Sequence, residues 1–421
     1  MEIYVRKKHN NSSIALSNNK YDNLIVFLLL LMSCGGIGNA LQPIRIFFIL
    51  CIPFTFMFFL RNPMQRKYYF VQILFFSFWW LYAFITLLWA IDITESTKNV
   101  IYLFVNFSSF FVMIWLASKA NNPQISIMKG WLVAFILTLP IALYELWFDK
   151  HLPISVQDSD LYLNLGYTVL DRKFASVTFG NLNGYNTFLC YILPFILFSL
   201  LKPSKKIESL FYWILLIAII YIIIVNSSRG AVLVLGVSMV LFFLFYFKSK
   251  RSKLIIVFSI VLILLSFYFA VRQFKPLFDV IALRFATQGF EDVGRLENIR
   301  AGWDALLNSN FFGIGTGNYI FVMKNKYHLS NPSPHNLFSE LAVQYGIIIL
   351  FCFILLLFKI LKLGLKNKNQ INKYFIIISL SIFPISSIID SSYLLGVPLW
   401  MYLASLMIIA DKRFNFSISR V

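Results

Sequence analysis

The residues best suited to catalysis interrupt the apolar stretches of the chain. His335 opens one such stretch directly after Pro334, and Glu340 follows five residues later. The positive end of a helix favours a neutral imidazole, so His335 is suited to accept a proton. The alternative is a histidine that only caps the helix. No two histidines, and no His and Asp pair, have the spacing of metal ligands, so we expect neither a metal nor another cofactor.

Three arginines at comparable positions indicate an anionic ligand. Arg229 lies in a tight turn between two apolar stretches, and Arg295 and Arg300 lie in the longest polar stretch of the chain. A guanidinium group matches two phosphate oxygens, and beside apolar helices it is costly without a counter-charge. The pattern therefore predicts a phosphate site. The structural alternative is an arginine that reaches lipid headgroups or lies on a solvated helix face.

Membrane-spanning helices must position these residues. The chain is 59% hydrophobic and only 13% charged, a balance typical of polytopic membrane proteins and not of soluble domains. Apolar stretches long enough to cross a hydrocarbon core of about 30 Å recur along its whole length. We therefore predict an all-α protein with about twelve transmembrane helices. The predicted spans are 23–38, 44–60, 69–91, 99–117, 130–148, 184–201, 209–226, 230–247, 254–271, 336–358, 374–389 and 393–410.

The net charge of +19 reflects topology rather than nucleic-acid binding. Basic residues cluster after the even-numbered spans, at 61–67, 202–206, 248–253 and 362–373. Positively charged loops face the cytoplasm, which predicts that both termini are cytoplasmic and that the candidate site faces outward. The expected partner of the basic charge is anionic membrane lipid, with no nucleic acid.

The predicted organisation has five parts. These are a cytoplasmic tail at 1–22, helices 1–9 in 23–271, a long external (periplasmic) loop at 272–335, helices 10–12 in 336–410, and a cytoplasmic tail at 411–421. Within the long loop, apolar residues spaced three and four apart predict an amphipathic helix over residues 295–307. The glycine-rich run at 313–317 predicts a flexible turn.

The positions of ionisable residues inside the spans indicate whether the protein could be an ion-coupled transporter. We place only Glu145 and Glu340 there, both within about two turns of the outer end. Ion-coupled transporters usually need such groups near the bilayer midplane. The pattern therefore argues against a pump or a proton-coupled carrier but leaves an uncoupled flippase open.

Several short motifs occur in a characteristic order. They are SVTFGNLNGY at 176–185, SRG at 228–230, GRLEN at 294–298, FGIGTGNY at 312–319, PHNLFSE at 334–340 and YG at 345–346. Their order, together with a long outer loop before the His-Asn helix, resembles the O-antigen polymerase and ligase superfamily.

The resemblance implies an inverting, metal-independent glycosyltransferase of the bacterial cytoplasmic (inner) membrane, with an active site facing the periplasm. Its donor would be a glycan on undecaprenyl diphosphate. Arg229, Arg295 and Arg300 would bind the donor diphosphate, and His335 with Glu340 would be catalytic. The expected partners are an acceptor glycan or lipid A–core, membrane lipid, a chain-length regulator and a flippase.

Three activities fit this resemblance. Residues 179–185 and 335–346 resemble polysaccharide polymerases of surface-glycan gene clusters, so we expect a polymerase of O-antigen or of capsular or exopolysaccharide repeat units. The first alternative is an O-antigen ligase that transfers the glycan to lipid A–core or to a protein hydroxyl. The second is a lipid-linked oligosaccharide flippase or carrier.

Overall fold

The protein is described by a computed structural model that covers residues 19–155, 173–201, 205–226, 228–249, 293–330 and 332–414. This part of the chain contains fourteen α-helices and no β-strand, which confirms the all-α class. The helices are α1 (Lys20–Leu30), α2 (Pro43–Arg61), α3 (Pro63–Tyr68), α4 (Phe70–Ile85), α5 (Ile93–Lys119), α6 (Pro123–Phe148), α7 (Leu182–Leu201), α8 (Lys206–Val225), α9 (Arg229–Ser249), α10 (Val293–Asn308), α11 (Tyr319–Asn325), α12 (Leu337–Leu365), α13 (Gln370–Ser386) and α14 (Val397–Ala410).

Eight of the described helices are long and apolar enough to cross a membrane. They are α2, α4 with its 3-10 extension to Trp89, α5, α6, α7, α8, α9 and α12. A polytopic membrane protein is thereby confirmed. The predicted spans at 23–38, 374–389 and 393–410 coincide with the shorter helices α1, α13 and α14, whereas 254–271 lies outside the described residues. The number of crossings stays a prediction.

The two ends of the helical bundle differ in charge. The turns that join α2 to α4, α5 to α6 and α12 to α13 lie at one end, which we call the basic end, and carry Arg66, Lys119 and Lys366 among others. We call the opposite end the site end. At the basic end, the carboxylate of Asp22 accepts hydrogen bonds from the N–H groups of Asn121 and Asn122, at 3.0 and 2.9 Å. These bonds fix the start of α1 to the α5–α6 turn.

The glycine-rich turn after α10 is bonded into a break in α12. Gly346 has φ +79° and ψ 175°, a conformation that glycine adopts readily and that interrupts the helical hydrogen bonds. The carbonyls of Val343 and Gln344 accept instead from the N–H groups of Ile314 and Gly315, at 2.8 and 3.0 Å. The turn that we predicted to be flexible is therefore fixed to α12 by backbone hydrogen bonds.

The helix predicted in the long loop is present as α10, and small residues form its buried side. Ala301 and Ala305 are buried, and Gly302 lies against α12. The apolar ridge of Ile299 and Trp303 is exposed, with 56% of Trp303 accessible. Small side chains let α10 approach α12 closely, while the apolar ridge faces away from the bundle, as on an interfacial helix.

We expect Gly346→Ala to lower the melting temperature of the purified protein in detergent. A Cβ at this position would collide with the Phe311 carbonyl oxygen, and a positive φ is unfavourable for alanine. The combined cost is about 1–3 kcal/mol or more. Gly236→Ala in α9 is the matched control, because its Cβ meets nothing within 4 Å. Equal melting temperatures for the two variants would show that the break in α12 carries no such constraint.

Candidate active site

The candidate site is built around residues 387–396, the ten-residue connection between α13 and α14 at the site end. We call it the 387–396 segment. It is not an α-helix, so its backbone polar groups need other partners. The Tyr393 hydroxyl accepts from the N–H groups of Ile389 and Asp390, at 2.7 and 2.6 Å, and donates to the Ser386 carbonyl at 2.7 Å. These bonds close the first half of the segment into a compact turn.

His335 approaches this segment through its backbone. Its N–H donates to the Ser391 carbonyl at 3.4 Å, and its φ is +43°. A left-handed backbone costs a non-glycine residue about 1–3 kcal/mol and occurs often at functional sites. Asn336 occupies the N-cap of α12, because its side-chain oxygen accepts from the N–H groups of Phe338 and Ser339. The cap of α12 is therefore Asn336 and not His335.

One of the predicted arginines bonds the same segment, and a second is next to a glycine that packs on it. Arg295, at the start of α10, donates from Nη1 to the Ile388 carbonyl at 3.0 Å. Arg229 is exposed at the start of α9, and the adjacent Gly230 packs on Ile389. A Cβ on this glycine would lie 2.8 Å from Cγ1 of Ile389. The starts of α9 and α10, which are distant in the chain, therefore lie at neighbouring positions along the 387–396 segment.

Arg300 lies on another side of α10 and is exposed. At about 100° per residue, the five-residue separation places it about 140° around the helix from Arg295. Its side chain leaves the helix in a different direction. A role for Arg300 in donor binding stays a prediction.

Glu340 lies in the first turn of α12 and is 3% exposed. Its Oε2 accepts from the Tyr393 N–H at 2.9 Å. Its Oε1 accepts from the Ser392 hydroxyl at 3.3 Å and from Gln344 Nε2 at 3.4 Å. These bonds join α12 to the 387–396 segment, next to the carbonyl that binds the His335 backbone.

A buried arginine that the sequence analysis overlooked also holds the segment. Arg45, in the first turn of α2, is 6% exposed and donates to the carbonyls of Leu395 at 2.8 Å and Asn39 at 3.2 Å. Its guanidinium lies 4.2 Å from the ring centroid of Tyr102. The statement that the spans contain only two ionisable residues is therefore wrong. The sequence feature that could have revealed it is a single arginine two residues after Pro43, inside an otherwise apolar stretch.

Buried polar side chains hold the motif at 176–185 at the site end of the bundle. Oε2 of the fully buried Glu145 accepts from the N–H groups of Ser176 and Val177, both at 2.8 Å. The side chain of Asn226, at the end of α8, bonds the N–H and the carbonyl of Ala175 at 2.7 and 3.1 Å. These contacts fix the chain that leads into α7, close to the turn that carries the first arginine of the site.

Asp390 is a further candidate that sequence reasoning missed. It is the acidic residue between two apolar stretches that we read as spans, and it lies beside Ser391, whose carbonyl binds the His335 backbone. Burial raises the pKa of its carboxyl to about 6. Over the described ranges, no three His, Cys, Asp or Glu side chains come together as metal ligands would.

Comparison with known proteins shows what the chain is similar to. Residues 214–354, which contain all five predicted site residues, match the family described as O-Antigen ligase. The chain is also 22% identical over 336 residues to the teichuronic acid biosynthesis protein TuaE of Bacillus subtilis (strain 168), over 76% of this chain and 67% of that protein. The expected resemblance is confirmed: the chain is a multi-pass membrane protein that is similar to the O-antigen polymerase and ligase superfamily.

Proposed function

We propose that the protein is a glycosyltransferase that uses a glycan carried on undecaprenyl diphosphate and polymerises surface-polysaccharide repeat units at the outer leaflet. The observation that supports this is that Arg295 and the His335 backbone bond the carbonyls of Ile388 and Ser391, while Gly230, next to Arg229, packs on the same segment. Two cations for a departing diphosphate and one proton acceptor would thereby lie along one stretch of backbone. This arrangement suits a lipid-diphosphate donor that is attacked by a hydroxyl group.

The arginines would act on the donor. A guanidinium group has five N–H donors, so Arg295 can hold the Ile388 carbonyl and still bind phosphate oxygens. Arg229, exposed at the start of α9, would bind the same diphosphate from the other side. Both would neutralise charge as the diphosphate leaves, which is a large term in many enzymes. Arg300 would assist only if the donor extends to the other side of α10.

The imidazole of His335 would act on the acceptor. An acceptor hydroxyl attacks the anomeric carbon of the donor sugar, a new C–O bond forms, and the bond to the diphosphate breaks with inversion. The electron pair leaves with the lipid diphosphate, and the hydroxyl proton passes to the imidazole. Glu340 would serve as a positioning residue, because its hydrogen bonds go to the segment that anchors the His335 backbone. No metal enters this scheme.

Transfer to lipid A–core or to a protein hydroxyl, as by a ligase, uses the same donor site. It differs only in the acceptor. A lipid-linked oligosaccharide carrier would need no proton acceptor at the site end and no bond to the anomeric carbon. The products therefore separate the three activities.

Products formed by the purified protein test the proposal directly. With a lipid-diphosphate-linked repeat unit alone, we expect a ladder of polymers on a gel, and we expect it to persist when EDTA is added. A single shifted band that requires lipid A–core would instead establish a ligase. Movement of the donor across liposomes without any product would reject the enzyme and support a carrier.

Replacement of the proposed base should reduce turnover. We expect His335→Ala to lower kcat about 10²–10⁴-fold, with little change in the KM for the donor, because a general base contributes at the chemical step. His328→Ala is the matched control, since that histidine lies in the same loop, is exposed and also has a positive φ of 53°. Near wild-type turnover of His335→Ala would exclude this histidine as the base.

Replacement of the arginines should instead weaken donor binding. We expect Arg229→Ala and Arg295→Ala each to raise the KM for the donor about tenfold or more, the value of one lost charge-assisted hydrogen bond. The corresponding lysine variants should recover only part of this, because lysine cannot form the two-pronged contact with phosphate. Lys324→Ala, an exposed cation in α11, is the control. Unchanged donor affinity in both alanine variants would reject the diphosphate site.

A further inference from the structure

A cavity of about 160 Å³ lies beside the 387–396 segment, between that segment and the site ends of α1, α2 and α7. It is small compared with the roughly 300–1,000 Å³ of sites for drug-sized ligands. Its size suits one small ring rather than an oligosaccharide.

The polar groups of the cavity are fixed by the backbone around them. Asp390 Oδ1 accepts from the Ser391 N–H at 2.7 Å, and Asn181 Oδ1 accepts from the Gly184 N–H at 2.6 Å. The hydroxyl of Ser392 donates to Glu340 at 3.3 Å, which leaves its oxygen able to accept. Hydrogen-bonding groups held in this way lose little freedom when a ligand binds.

A glycine keeps the space between these groups open. A Cβ on Gly184 would lie 3.3 Å from Asn181 Oδ1 and 3.6 Å from Asp390 Oδ2. Any larger side chain would occupy the volume between the amide and the carboxylate. The apolar remainder of the wall includes Phe179 and Pro398, which offer a surface for C–H groups.

The charge of the cavity differs from that of the arginine site. The described residues that line it include Asp390 but no lysine, arginine or histidine. Burial raises the pKa of this carboxyl to about 6. In its ionised form the carboxylate accepts hydrogen bonds and repels anions. The cavity therefore favours a ligand with several hydroxyl donors and disfavours one with a carboxylate or a phosphate.

We propose that this cavity is a subsite for one uncharged sugar ring of the acceptor glycan, bound through Asp390, Asn181 and Ser392. The proposal rests on the proposed function, because it assigns the cavity to a glycan substrate. The acceptor is the better occupant, since the donor brings a diphosphate that the cavity would repel. Asp390 directly precedes the residue whose carbonyl binds the His335 backbone, so a sugar held there lies near the proposed base.

Matched glycosides test the subsite without any donor and hence without turnover. The probes are the methyl glucoside and methyl galactoside and the corresponding methyl uronides, which differ from them only by a carboxylate at C6. Binding is measured by saturation-transfer NMR on the purified wild-type protein in nanodiscs. We expect at least one neutral glycoside to bind about tenfold more tightly than its uronide. Equal or tighter binding of the uronides, or no binding of any probe, would overturn the proposal.

Three variants locate the binding in the cavity. Asp390→Asn should weaken binding of the neutral glycoside and remove most of the preference for it over the uronide. Gly184→Val should block binding of both sugars. Asp304→Asn, which changes an exposed carboxylate on α10 outside the cavity, should bind as wild type does. Melting temperatures confirm that each variant is folded. Unchanged sugar binding in both cavity variants would place the ligand elsewhere and reject the subsite.

The polymer assay separates this proposal from the function on which it rests. If the wild type binds neutral glycosides but forms no polymer, the proposed reaction fails while the sugar site stands. If Asp390→Asn loses sugar binding but extends polymers with an unchanged acceptor KM, the cavity is not the acceptor subsite, although the reaction stands.

Discussion

A non-helical backbone in a membrane bundle needs partners for its polar groups, and the 387–396 segment finds several of them in side chains of distant helices. Arg295 bonds the Ile388 carbonyl, and Arg45 bonds the Leu395 carbonyl. Asn106 of α5 donates to the carbonyl of residue 394, and Glu340 accepts from the N–H of residue 393. Four helices are thereby tied to one short piece of chain.

This constraint also explains why the candidate catalytic groups meet. The N–H of His335 donates to the segment, and Arg229 is brought to it because Gly230 lets α9 approach Ile389 closely. The polar groups of the segment attract the same kinds of side chain that a diphosphate and a hydroxyl would require. Structural support and the proposed chemistry would therefore share residues at this site, with Arg295 in both roles.

The apolar stretches predicted the fold class and most of the helices, because length and hydropathy are local properties. The sequence also predicted that Arg229, Arg295 and His335 lie near helix ends, because such residues are rare in apolar sequence. The sequence did not predict the non-helical 387–396 segment, because its hydrogen bonds come from partners such as Arg295, 93 residues away in the chain. For the same reason the sequence did not reveal that Asp390 lies beside the N-terminus of α7.

The interlock between α12 and the glycine-rich turn separates the packing of α10 from the loop that follows it. Because this turn is bonded to the carbonyls of residues 343 and 344, the position of α10 relative to α12 does not depend on the chain that follows the turn. Residues 324–330, which are largely exposed, can then change in length or composition without moving Arg295 relative to His335. Under the proposed function, exchange of this one surface loop could change which glycan is accepted while Arg295 and His335 keep their positions.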